Sequence, residues 1–140
     1  MKAAAWNERV AAAQACIDTY AGQPFEWGKR DCVRLCAFLL RKRGHGVSLV
    51  KVGGYSTEMG GLRAMRGLGF KSLVEAVDAQ GFARIPPASA WPGDIVALEG
   101  PDPWGGALTV KVSGDAVLGA LEGSFAVARP LKAVAAWRID

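Results

Sequence analysis

Histidine is almost absent from this chain: His45 is the only one among 140 residues. That scarcity excludes a histidine-rich metal site and leaves any acid–base chemistry a single imidazole. No uncharged apolar run approaches the roughly 20 residues that span a bilayer, so no membrane-inserted segment is expected. Lys2, Glu8 and Arg9 arrive before an apolar stretch long enough for a signal peptide, so no export leader is expected. Cysteine is limited to Cys16, Cys32 and Cys36, an odd number that forms no disulfide framework. Reduced thiols in a protein made in the cytoplasm are the expectation, and a particle assembled in a cell and released later fits it equally. Positive charge is also thin. Seventeen basic residues against thirteen acidic ones give a net +4, clustered only at Arg41-Lys42-Arg43. A concentrated basic face is missing, so no nucleic-acid role is expected.

What is present is an apolar fraction of 51% at the length of one domain, punctuated by 18 glycines and 7 prolines. One core-bearing domain over residues 1–140 follows, and the glycine and proline count argues against a helical bundle. Residues 6–21 have a helical period, with Val10, Ala13, Ile17 and Tyr20 on one side and Glu8, Arg9, Gln14 and Asp18 on the other. A second helix is expected from its cap at Asp31 to Gly44, buried nearly all round through Cys36-Ala37-Phe38-Leu39-Leu40. Glycines at 44, 46, 53, 54, 60, 61, 67 and 69 mark a loop-rich middle, with short helices expected at Glu58–Arg66 and Ser72–Gln80. This middle holds no Walker or dinucleotide-binding glycine pattern. After Pro86-Pro87 the period falls to two. Strands are expected at 95–98, 108–112, 116–121, 125–128 and 133–139, joined by glycine turns as an antiparallel meander. Helices first and sheet second define an α+β domain.

The segment Pro24-Phe25-Glu26-Trp27-Gly28-Lys29-Arg30-Asp31-Cys32 carries the chemistry. It delivers Cys32 to the first turn of a helix, where free amides, the dipole and nearby Lys29 and Arg30 favour thiolate over thiol. A buried thiol that merely packs is the competing reading of Cys32, as it is for Cys16 and Cys36. A zinc site from Cys32, Cys36 and His45 lacks the paired spacing such sites use, so neither metal nor cofactor is expected. Among the tryptophans, Trp27, Trp91 and Trp137 are expected in the core or lining a cleft. Trp104, on a polar loop, is expected either exposed for protein contact or tucked back.

Phe25-Glu26-Trp27-Gly28, the following Asp31-Cys32, and Trp91-Pro92-Gly93-Asp94-Ile95-Val96 together resemble the NlpC-type cell-wall peptidases. The resemblance runs from about Pro24 to about Val112. It implies a papain-like fold, a nucleophile at Cys32, motif positions at Trp27, Gly28, Asp31, Gly93 and Asp94, and peptidoglycan stem peptides as substrate. It also implies a catalytic histidine opening the strand after the Pro-Gly-Asp strand, and there the chain has Ala107. Val33-Arg34 replaces the small pair that usually follows the cysteine, as in a divergent branch found in tail modules of tailed bacteriophages. Without an imidazole the thiol lacks a base and the leaving amine lacks a proton donor, a step worth roughly 10²–10⁴-fold. Asp115 and Glu122 are poor substitutes, and His45 lies outside the motif order.

The expectation is therefore a tail-tip or tail-assembly protein on an inactive NlpC-like scaffold, with other tail-tip or hub proteins as partners. It would be made in the host cytoplasm and end in the virion tail. The alternative is an active cysteine endopeptidase, with Cys32 as nucleophile, that cleaves peptidoglycan during wall penetration.

Overall fold

A computed structural model describes residues 2–47, 54–130 and 132–140. Within them the chain runs α1 (Ala3–Tyr20), α2 (Cys32–Lys42), α3 (Glu58–Gly67), α4 (Leu73–Asp78), β1 (Ala83–Ile85), β2 (Ile95–Leu98), β3 (Ala107–Ser113), β4 (Ala116–Leu121), β5 (Ser124–Ala128) and β6 (Ala133–Arg138). The molecule is α+β: N-terminal helices against one antiparallel sheet of order β1-β6-β2-β3-β4-β5. Among the described residues no helix is long and apolar enough to cross a membrane. Gly53, one of the expected loop glycines, lies outside the described residues.

Local chemistry accounts for the helix starts. Asp31, Thr57 and Ser72 each accept a hydrogen bond from the backbone N–H three residues on, at Arg34, Gly60 and Glu75. These are side-chain caps on orphan amides. Helix α2 buries Leu35, Cys36, Ala37, Leu39 and Leu40, as its apolar circumference predicts. The face of α1 differs from the expected one. Its buried residues are Arg9, Ala12, Ala13, Cys16 and Tyr20, while Val10 is exposed and Ile17 only half-buried. Alanines all round this helix weaken any apolar stripe, so the tertiary partner of Arg9 selects the face.

That partner is Asp94. Its carboxylate is wholly buried and accepts from Arg9 Nη1 (2.9 Å), from the Ile139 N–H (2.9 Å) and from the Trp91 N–H (2.8 Å). Arg138 Nη1 stands 3.3 Å from its other oxygen. Arg9 also donates to the Ile139 carbonyl (2.6 Å). Gly93, at φ +85°, turns the chain into β2 while packing against the Arg9 backbone, where a Cβ would sit 3.3 Å from the Arg9 carbonyl oxygen. The Pro-Gly-Asp segment is thus a three-way tie between α1, the start of β2 and the end of β6.

Strands β2 to β5 form the expected meander, but β6 leaves it. It crosses back to pair with β2, with Ile95 opposite Trp137, and β1, too short for periodicity to reveal, pairs beyond it. The inner face carries Ile95, Val110, Leu118, Phe125 and Trp137 into the main core with α1 and α2. At the other edge Gly22 donates to the Phe125 carbonyl (2.8 Å) and Phe125 to that of Gln23 (2.9 Å), so the chain before α2 covers part of the exposed edge of β5.

Removing Asp94 leaves Arg138 without a carboxylate and the buried Arg9 with only the exposed Asp140 at 3.5 Å. Asp94→Ala is expected to destabilise by about 3–5 kcal/mol, whereas Glu99→Ala, in the exposed pair with Lys132, is expected to cost less than about 1 kcal/mol. Urea unfolding of the two variants checks the contrast.

Candidate functional site

Cys32 is half-buried in the first turn of α2, directly after the Asp31 cap. It borders a cleft of about 440 Å³ whose lining includes Phe25, Trp27, Asp31, Tyr55, Trp104 and Ala107. The N–H of Leu108, with the amides of Cys32 and Val33, is directed at its sulfur. Cys32 and Ala107, the position where the motif order expects a histidine, therefore face the same cavity.

No imidazole reaches that cavity. His45 follows the far end of α2, whose ten residue steps from Cys32 to Lys42 span about 15 Å. Its Nε2 contacts the Asp140 carbonyl oxygen at 2.6 Å, and its ring meets Phe82 edge-on at 4.9 Å. It is a turn residue tied to the end of the sheet. Asp115 pairs with Arg129 at 3.2 Å on the surface, and Glu122 sits in the β4–β5 turn at φ 48°; neither lines the cleft.

Asp31 organises the cleft wall. It is buried, and Oδ1 accepts the Arg34 N–H (3.0 Å) while Oδ2 accepts the Gly28 N–H (3.0 Å), Arg34 Nη1 (2.9 Å) and the Tyr55 hydroxyl (2.7 Å). Arg34 donates in addition to the Tyr55 hydroxyl (2.9 Å), with its guanidinium 4.9 Å from that ring. Gly28 takes φ +79° and touches the Tyr55 backbone so closely that a Cβ would collide with its carbonyl oxygen. Arg34, which departs from the small residues of the resembled motif, is thus the counter-ion of Asp31. Tyr55 escaped the sequence reading, as did the pairing of Arg34 with Asp31; Tyr55 lies 24 positions from Asp31 and nothing local links them.

The electrostatics oppose the expected thiolate. Burial, then the neighbouring Asp31 charge, pushes the Cys32 thiol up to about 11 from 9.0, against the lowering pull of the backbone amides. Lys29 and Arg30, expected to help, both turn to Glu26 at 3.6 and 3.7 Å. Burial also raises Cys16, to about 12, and Cys36. All three thiols are free, and among the described residues no three His, Cys, Asp or Glu side chains converge on a metal position. Tyr55 is raised as well, by burial and then by its bond to Asp31.

The tryptophans divide. Trp104 tucks back and stacks on Trp27 at 5.3 Å and 12°, roofing the cleft, with its outer edge close against Gly61. Trp137 is core and donates to Asp78 (2.8 Å). Trp91, expected in the core or cleft, is instead exposed, because its backbone rather than its ring serves Asp94.

A family model described as "Domain of unknown function (DUF6950)" matches residues 1–139, and the chain belongs to that family. No curated protein matches the chain.

Because the folded state holds these thiols protonated, their contribution to stability is complete below the unfolded value near 9.0. It is expected to be lost as pH rises through about 11 to 12, seen as a falling melting temperature. Alkylation of Cys32 in the folded protein is expected to stay slow at pH 8 and to accelerate up to about pH 11, followed by mass spectrometry.

Proposed function

We propose that this member of the DUF6950 family is a structural protein of a bacteriophage tail. In this reading it is built on a papain-like, NlpC-type scaffold without peptidase chemistry, and it docks with other proteins of the tail tip or hub. The observation that carries the reading is the neighbourhood of Cys32. A cysteine at a helix start shares one cleft with the first residues of the strand after the Pro-Gly-Asp strand, where such a scaffold places its histidine, and those residues are Ala107 and Leu108.

The chemistry supports a silent site. A thiol held near 11 is almost wholly protonated at neutral pH, and the titratable groups lining the cleft with it are the carboxylates Asp31, Glu58 and Asp102, the Tyr55 hydroxyl and Arg129, with no imidazole among them. Part of the polar wall of the cleft is satisfied internally: Asp31, Arg34 and Tyr55 bond to one another, and Asp31 to backbone, an arrangement that braces a loop, while the buried Trp104 Nε1–H has no partner among the described residues. The tail assignment rests on the resemblance of Asp31-Cys32-Val33-Arg34 to divergent tail-module members. Internal bracing around a dead nucleophile suits a part selected for shape.

Incubation with purified peptidoglycan, beside a Cys32→Ala control, is expected to release no stem-peptide fragments. Cys32-dependent release would instead establish the active endopeptidase. Leu108→His puts an imidazole on the face of β3 that packs with Cys32 and is expected to lower the Cys32 pKa, read as faster alkylation at neutral pH. An unchanged rate would show that the head of β3 presents no side chain to the thiol.

A further inference from the structure

Away from the cleft, the Asp94 tie comes to the surface beneath two tryptophans. Trp6 and Trp91 are 39% and 38% exposed, meet edge to face at 6.0 Å, and are joined by Val10, exposed one turn along α1 from Trp6. Large aromatics are costly to leave in water and are the side chains that most often anchor protein contacts. Beneath them the charge is positive. The Arg138 guanidinium lies 3.5 Å from the Trp91 ring centre and that of Arg9 5.4 Å.

A third cation belongs to this layer. Val110 and Val112 point into the main core, so Lys111 between them points to the opposite face of the sheet, as Arg138 does between Trp137 and Ile139. Its backbone pairs with Asp94 and Gly93 at 2.9 Å. Lys111 is only 7% exposed, its ammonium keeps contact with solvent, and among the described residues it has no ion pair or side-chain hydrogen bond; the Nη1 of Arg138 is buried without a hydrogen bond. Arg9 and Arg138 thus flank one fully buried carboxylate, Lys111 joins the same layer through its backbone bond to Asp94, and Asp140 touches Arg9 at 3.5 Å from solvent. A mostly covered lysine without a counter-charge, whose ammonium still meets solvent, attracts an arriving anion.

We infer that the Trp6–Val10–Trp91 face is a docking site for an acidic polypeptide segment of a partner protein, one that sets an aromatic or branched aliphatic side chain on the indoles and a carboxylate toward Lys111 and Arg138. A second copy is disfavoured, because a two-fold interface would set this positive layer against itself. A nucleic acid is disfavoured because these cations are largely buried and few, whereas a phosphate backbone needs an exposed basic track. The inference does not depend on the Cys32 cleft being silent and stands or falls on its own experiment.

Selection of a random short-peptide library on the full chain tests it. The enriched peptides are expected to combine Asp or Glu with an apolar anchor, and to weaken as salt is raised. Binding is expected to fall about tenfold or more with Trp6→Ala, and to lose part of its salt dependence with Lys111→Met. Trp6→Phe keeps the test open if the alanine variant unfolds, and is expected to retain most of the binding. Enrichment of basic or uncharged peptides, or unchanged binding by Trp6→Ala and Lys111→Met, overturns it. So do tighter binding of oligothymidylate than of any selected peptide, and a concentration-dependent dimer in sedimentation that Trp6→Ala abolishes.

Discussion

A carboxylate with no access to water must find its whole coordination within the fold, and Asp94 finds it from three directions. Arg9 comes from the first helix, the Trp91 amide from the turn before β2, and Arg138 with the Ile139 amide from the end of the chain. Leaving any of these away would strand a buried charge, a penalty of several kcal/mol. The tie therefore pins the first turns of α1 to the turn before β2 and holds the end of β6 beside β2. Helices α1 and α2 pack on each other and both on β3, and α2 brings Cys32 to the head of that strand.

Asp31 is the second buried carboxylate, and its position bears on chemistry. As an N-cap it is ideal; as the neighbour of a prospective nucleophile it is adverse, since its charge and the burial around it both favour the neutral thiol. A helix terminus contributes about 0.3–1 kcal/mol in favour of an anion. The rise of the Cys32 thiol from 9.0 to about 11 corresponds to roughly 3 kcal/mol in the other direction. Burial and Asp31 win. Peptidases of this chemistry overcome such a balance with an adjacent imidazolium, and Ala107 supplies none.

Much of this was legible. The cap at Asp31, the short helices expected at Glu58–Arg66 and Ser72–Gln80, and the two-residue period of β2 to β5 rest on local signals, and the elements formed within a few residues of where they point. The Trp-Gly turn, Cys32 and Ala107 were legible as positions, and they do converge on one cleft. Arg9 was misplaced because it was read as a solvated side of an alanine-rich helix, when its partner lies 85 positions away. Tyr55 was silent for the same reason; Arg34 was legible only as a departure from the motif although Asp31 is three positions away, and the ring of Trp91 was placed inside when only its amide goes there.

The chain's composition and local patterns by themselves determined an α+β domain, its helix starts, its hairpins and the lack of any imidazole beyond His45, because each depends on residue identity or on neighbours a few positions apart. Tertiary structure alone decided that His45 is spent on Asp140 and that the Cys32 thiol is held protonated. It likewise decided that two tryptophans surface above a buried cluster of cations. Those outcomes turn on burial and on charges far apart in sequence, and desolvation has no value until the fold has said which groups leave water.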